Sequence, residues 1–199
     1  MLTRKERIEK RLFDIAFSVA GIVVTLPVMV MAWIVASVDT RSNGLFVQKR
    51  IGQHGKPFYV WKIKTMKPVS GADSTVTTSQ DCRITKSGAF FRKTKIDELP
   101  QLFNVLFGQM SFVGPRPDVP GFADLLEGED RIILSLRPGI TGPATLKYKH
   151  EEILLSKVQD PERYNREVIW PDKVKINKAY IRNWSLSKDV GYLIKTVLG

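Results

Sequence analysis

The chain has 199 residues, 43% of them hydrophobic, and its 31 Lys and Arg against 20 Asp and Glu leave a net charge of +11. That length holds one domain and a little more, and so basic a balance suits nucleic acid, an anionic membrane surface or phosphorylated substrates. One cysteine, Cys82, excludes an intramolecular disulfide and supplies no zinc cluster, and two histidines, His54 and His150, argue against a multi-histidine metal site.

Taken in order, residues 4–11 place Arg4, Lys5, Arg7, Lys10 and Arg11 against Glu6 and Glu9, and the 24 residues from Ile15 to Val38 then carry no charge. As one straight helix this run measures ~36 Å, enough to cross a ~30 Å hydrocarbon core. It is too long for a signal peptide, and no small-residue cleavage site follows it. On hydropathy alone it reads as a single-pass anchor. Two features favour a different reading. Pro27 near its middle removes a helical hydrogen bond, dividing the run into halves of ~18 Å that reach the bilayer centre and return. Both flanks are basic as well, with no acid between Asp39 and Asp73. A re-entrant hairpin with both ends in the cytoplasm accounts for that charge; a spanning helix would be positive mainly on one side.

Two β-prone runs, 45–51 and 57–63, flank Gly52-Gln53-His54-Gly55 and predict a hairpin. Residues 68–82 are rich in Ser, Thr, Asp and Gly and read as a mobile polar loop. A helical pattern at 121–136 is broken by Gly128, and Arg137 to Pro143 reads as a stiff, non-helical turn. The tail offers helices at 151–158, 161–169, 172–183 and 187–198. Its mixed aromatics and bases fit a membrane-surface belt or ordinary packing equally well.

The chemistry concentrates at 94–117. Asp97 and Glu98 stand adjacent where an apolar helix begins, and the helix ends at Gly108. Arg83, Lys86, Arg92, Lys93 and Lys95 precede them with no acid between Asp81 and Asp97, and Gly114-Pro115-Arg116-Pro117 offers a guanidinium on a rigid loop. Acids at a first helical turn are commonly structural, through capping and the helix dipole. Among so many cations, however, such a carboxylate is expected to have a depressed pKa and serve as a nucleophile or metal ligand. Arg116 either pins its loop to an acid or grips phosphate bidentately. No Gly-rich phosphate loop and no dinucleotide-binding fingerprint is present.

The run from Asp97 to Pro117 resembles the signature of the bacterial sugar transferases, the small monotopic phosphoglycosyl transferases. The likeness extends to Lys10-Arg11-Leu12-Phe13-Asp14, Gln48-Lys49-Arg50-x-Gly52, Lys62-Ile63-Lys64-Thr65-Met66, Asp81-x-Arg83-Ile84-Thr85-x-x-Gly88, Arg92 and Arg137-Pro138-Gly139-Ile140-Thr141-Gly142. Leu26 before Pro27, Gln109 after Gly108, and Pro143 to Lys149 depart from the commonest family pattern.

The resemblance implies a mostly α fold with a small β element. Residues 1–38 would be the basic N-terminus and a re-entrant membrane helix-hairpin. Residues 39–199 would be a compact, membrane-associated catalytic domain with amphipathic surface helices, on the cytoplasmic face of the bacterial inner membrane. The implied reaction moves a sugar-1-phosphate from a UDP-sugar to polyprenyl (undecaprenyl) phosphate with Mg²⁺, releasing UMP in two steps. It opens the assembly of a glycan or glycoprotein, with anionic membrane lipids as further partners and no nucleic acid. Asp97 would attack phosphorus and also touch the metal, and Glu98 would position the metal or activate the lipid phosphate. Arg92, Arg116 and Lys62 would hold phosphate oxygens. A rival reading, an anchored basic domain binding nucleic acid or an acidic partner, explains the charge but not two carboxylates among the bases.

Overall fold

The computed structural model describes residues 2–67 and 83–198; the polar loop expected at 68–82 lies outside them. The described chain is mostly helical, with two small sheets and one long apolar helix at its N-terminus.

Helix α1, Arg4–Thr40, starts in a capping box in which Thr3 Oγ1 accepts from the Glu6 amide and Glu6 accepts from the Thr3 amide. Its 37 residues make it ~55 Å long. Helical structure continues through Pro27, so α1 is one helix and not two halves joined by a turn. Pro27 removes the amide that would bond to the Val23 carbonyl. Thr25 Oγ1 donates to the Gly21 carbonyl at 2.7 Å, not to the one that Pro27 frees. Packing on both sides of Pro27 accounts for the continuity: a Cβ on Gly21 would lie 3.2 Å from Leu102, while Ala32 and Ala36 pack with Ile63 and Phe91.

One narrow stripe of α1 is buried, running Lys10, Asp14, Ser18, then Met29, Ala32, Ala36 and Thr40 at helical spacing. The rest is bare: Leu12, Val23, Val24 and Val38 are each more than 60% exposed. Polar latches tie the N-terminal third to the body. The Arg11 guanidinium donates to the Val105 and Leu106 carbonyls, both at 2.7 Å, closing the C-terminus of a later helix. Asp14 accepts from Ser111 Oγ and the Phe112 amide, and Lys10 donates to the fully buried Asp189 at 2.5 Å. At the far end Ser87 donates to Asp39.

Strands β1 (Leu45–Ile51) and β2 (Pro57–Ile63) form the antiparallel hairpin expected from the sequence, in register Leu45 to Ile63. Its turn has His54 at φ 59 and Gly55 at φ 77. Helix α2, Lys86–Thr94, is capped by Thr85, whose hydroxyl accepts from the Gly88 amide at 2.9 Å. A 3₁₀ turn, Ile96–Glu98, leads into α3, Gln101–Leu106, which ends before Gly108 at φ 79.

Strand β3 (Ser111–Val113) lies parallel to β4 (Gly139–Thr141). The segment expected as a stiff turn is therefore partly a strand. Its stiffness serves pairing: Gly139 N donates to Pro115 O at 2.8 Å and Gly114 N to Thr141 O at 2.9 Å. The helix expected over 121–136 is instead two 3₁₀ segments, Ala123–Leu125 and Gly128–Ser135, the second opening on Gly128 at φ 55.

The tail holds α4 (Pro143–Lys147), α5 (Glu151–Leu155) and α6 (Pro161–Tyr164). A π-helical stretch, Asn165–Ile169, leads into α7 (Trp170–Arg182), and α8 (Leu186–Leu198) follows. The main core joins β1, β3, the second 3₁₀ segment and α7 through Ile51, Val113, Ile133, Leu134, Val174 and Ile181. Beside it Asp189 collects Lys10, Tyr180 and Trp184, tying α8 to α1.

Candidate active site

The site forms where three separate stretches meet: the 3₁₀ turn, β2 and the loop after β3. Lys95 enters the turn in the left-handed region, at φ 60, so the chain reverses sharply out of α2. That reversal carries Asp97 inward, where it is 8% exposed. Among the described residues Asp97 has no side-chain hydrogen bond, and its Oδ1 is sealed from solvent without a partner. The capping role open to it in the sequence is therefore not one it performs.

Glu98 has the opposite surroundings. Its Oε1 accepts from Arg116 Nη2 at 2.5 Å and lies 3.4 Å from Lys62 Nζ, with only 12% of the side chain exposed. Arg116 is held by a second bond, Nη1 to the Ile140 carbonyl of β4 at 3.3 Å. Pairing of β3 with β4 thus aims the guanidinium.

These contacts divide the dyad electrostatically. Burial, joined by the charge of Glu98, raises the Asp97 pKa from 3.8 to about 6, against the pull of Lys62, Lys95 and Arg92. Burial also pushes Glu98 upward, but Arg116 and Lys62 outweigh it and hold that carboxyl well below the usual range. The depressed pKa expected among the cations therefore belongs to Glu98 alone. The paired cations move too: burial lowers Lys62, whereas Glu98 raises Arg116.

Arg92, on α2, acts on Asp97 electrostatically while its Nη2 pairs with Glu152 of α5. Lys62, Glu98 and Arg116 are thus in one cluster with Asp97 beside it, and Arg92 sits at its edge with an acid already in place. Two further residues, to which the sequence assigns no role, stand beside this cluster: Arg50 and Asp118. Arg50, on β1, donates to Gln48 Oε1 and to the Pro117 carbonyl at 3.3 Å. Burial, with help from Arg116, lowers it to about 10, and burial raises nearby Asp118 to about 7. Arg50 ends the run Gln48-Lys49-Arg50, and Asp118 directly follows Pro117. No spacing rule joins residues 68 positions apart; the Pro117 contact does.

Among the described residues no group of three His, Cys, Asp or Glu could hold a metal by itself. The free Asp97 oxygen nonetheless suits a hard cation that takes one or two carboxylates and finds its other ligands on substrate phosphates.

The family model described as bacterial sugar transferase matches residues 5–199. The chain is 36% identical over 196 residues to the UDP-glucose:undecaprenyl-phosphate glucose-1-phosphate transferase of Klebsiella pneumoniae, covering 94% of this chain and 39% of that protein. It is 32% identical over 211 residues to the undecaprenyl-phosphate galactose phosphotransferase of Salmonella typhimurium, covering 97% and 40% respectively. An uncharacterized sugar transferase of Bacillus subtilis is 32% identical over 188 residues, covering 94% of this chain and 85% of the relative. The chain thus spans about two fifths of the longer relatives' length, but most of the shorter one's. The match runs from the latch residues of α1 through the divided carboxylate pair to α8, and the chain belongs to the bacterial sugar transferase family.

Proposed function

We propose that the protein transfers a sugar-1-phosphate from a UDP-sugar to undecaprenyl phosphate and releases UMP, through a covalent intermediate on Asp97. The observation that carries this reading is the division of the dyad: among the described residues Asp97 Oδ1 is buried without a partner, while Glu98 is engaged by Arg116 and Lys62. A carboxylate outside such an ion pair keeps an oxygen for attack. Its oxygen bonds to the sugar-linked phosphorus, the bond to the bridging oxygen of UMP breaks, and UMP leaves with that electron pair. Undecaprenyl phosphate then displaces the phosphosugar and returns Asp97 to its carboxylate. Arg116 and Lys62, fixed by Glu98, would neutralise phosphate oxygens, and Arg92 would join them once it leaves Glu152. Asp97 would hold Mg²⁺ together with substrate phosphates; the ion supplies charge neutralisation at the diphosphate.

We infer the setting from α1. Both of its ends pack on one body, through Asp14 to β3 and through Ala36 to β2 and α2, so both belong on one side of a bilayer. Its bare apolar face then enters one leaflet in the re-entrant sense, with the site on the cytoplasmic face of the inner membrane. The basic surface meets anionic lipid, and the reaction opens a glycan or glycoprotein pathway. Relatives named for glucose and for galactose leave the sugar to be found by assay.

The test omits the lipid. Enzyme given a UDP-sugar from a panel, with Mg²⁺, is expected to gain the mass of one phosphosugar and release at most one equivalent of UMP. The adduct maps to Asp97 and disappears when undecaprenyl phosphate is added. An active enzyme that forms no adduct, and releases UMP only with lipid present, would instead work by direct displacement, with Asp97 as a metal ligand.

A further inference from the structure

Four buried side-chain atoms among the described residues have no hydrogen-bond partner, and two of them sit one helical turn apart beside the reaction centre. They are Asp97 Oδ1, an acceptor, and Gln101 Nε2, a donor. Gln101 is 2% exposed. From the 3₁₀ turn through Leu99 (φ −54, ψ −38) and Pro100 (φ −61, ψ −16) into α3 the backbone stays right-handed helical, so residues 97 and 101 share a face. Cβ atoms at that spacing lie about 5–6 Å apart, within reach of a glutamine amide after a change of rotamer.

A buried amide donor left unbonded is destabilising, and an apolar residue of similar volume would fill the same space without that cost. Side chains that break a local rule in this way tend to mark functional positions. We propose that Gln101 is a positioning residue for the transfer reaction: its Nε2 donates to Asp97 Oδ1, leaving the other carboxylate oxygen to bond to phosphorus. In the loaded enzyme Oδ1 is the carbonyl oxygen of the acyl phosphate, and the Gln101 bond holds that group in one rotation until the acceptor arrives. The inference rests on the covalent reading above and adds to it a residue that never touches substrate. No proton moves through Gln101; it only donates.

The test compares wild type, Gln101→Met and Asp97→Asn in single-turnover UMP release, thermal unfolding and infrared spectroscopy of the adduct. Gln101→Met is expected to melt about 2–4 °C higher, because the unbonded donor is gone. It should form the adduct roughly tenfold more slowly with an unchanged half-saturating UDP-sugar concentration, and its adduct carbonyl should absorb at higher wavenumber. A rate equal to wild type, or a fall in stability that parallels the fall in rate, overturns the proposal. Should Gln101→Met not fold, wild type labelled with ¹⁵N-glutamine decides. One side-chain amide should move downfield on loading, and no movement overturns the proposal. Asp97→Asn separates the two readings. If it forms adduct, both fall; if it is inert while Gln101→Met behaves as wild type, only this one falls.

Discussion

Asp97 is costly to ionise where it stands, because burial and the neighbouring Glu98 charge oppose it and the nearby cations recover only part. Its native pKa of about 6 exceeds the ordinary aspartate value of 3.8, so between those values the folded chain holds a proton that the unfolded chain has lost. Stability from this group is therefore full below the lower value and falls as pH rises through the window, by about 3 kcal/mol at neutrality. Asp97→Asn is expected to melt above wild type at pH 7.5, with the gap closing toward pH 4, while both half-reactions vanish. UMP release by wild type should decline tenfold per pH unit below about pH 6, measured in single turnover across a buffer series. Glu98→Gln has the opposite sign. It leaves Arg116 and Lys62 facing a neutral amide, and since 39% of the Arg116 side chain meets solvent, the expected loss is only about 1–3 kcal/mol by denaturant unfolding. Arg116→Lys keeps the charge but loses the fork between Glu98 and Ile140, and should lower turnover roughly 10- to 150-fold. Near-normal turnover in the folded variant would return Arg116 to a purely structural role.

At the scale of elements, the parallel pair β3–β4 joins two motifs separated by more than twenty residues. The glycines there are a matter of space, since neither lies in the left-handed region. A Cβ on Gly139 would fall 2.2 Å from Gly114 N, and one on Gly114 would fall 2.6 Å from Arg137 O. Both contacts are with backbone, which cannot swing aside as a side chain does. Gly139→Ala should separate the strands and shift Arg116, which donates to the Ile140 carbonyl of β4. The expected outcome is a stability loss of about 1–3 kcal/mol or more, with a further fall in turnover among molecules that remain folded. Unfolding midpoints and activity per folded enzyme check the two effects separately.

For the whole molecule, α1 is both scaffold and exposed apolar surface. Of its most apolar 18 residues only 17% are buried, so most of that surface has no partner among the described residues. Arg11, Asp14 and Lys10 bind one end of the helix to the same body that Ala32, Ala36 and Asp39 bind at the other. A helix crossing the bilayer would carry those ends to opposite sides. With Cys82 replaced by serine, single cysteines at Lys5 and Lys195, both exposed, should each resist a membrane-impermeant thiol reagent added outside intact cells. Labelling of the Lys5 position alone would mean that the segment spans.

Local chemistry made much of this legible without coordinates. Alternating β-prone residues around Gly52-Gln53-His54-Gly55 set the bounds of the hairpin, the charge-free run from Ile15 to Val38 marked the long helix, and Asp97, Glu98 and Arg116 stood out as carboxylates and guanidinium in one stretch. What the residues could not express was partnership across the chain. Which carboxylate would be depressed depended on whether Arg116 and Lys62, 18 and 36 positions away, came to Glu98 or to Asp97. Pro27 promised a break, but packing along both halves of α1 kept the helix whole. The 121–136 segment had a helical pattern, yet Gly128 at positive φ and the demands of the core divided it into 3₁₀ pieces. Periodicity and composition act within a few residues and so determined the elements. Desolvation and ion pairing act between elements, so only the tertiary structure decided which of two adjacent acids was paired with cations and which was buried beside them.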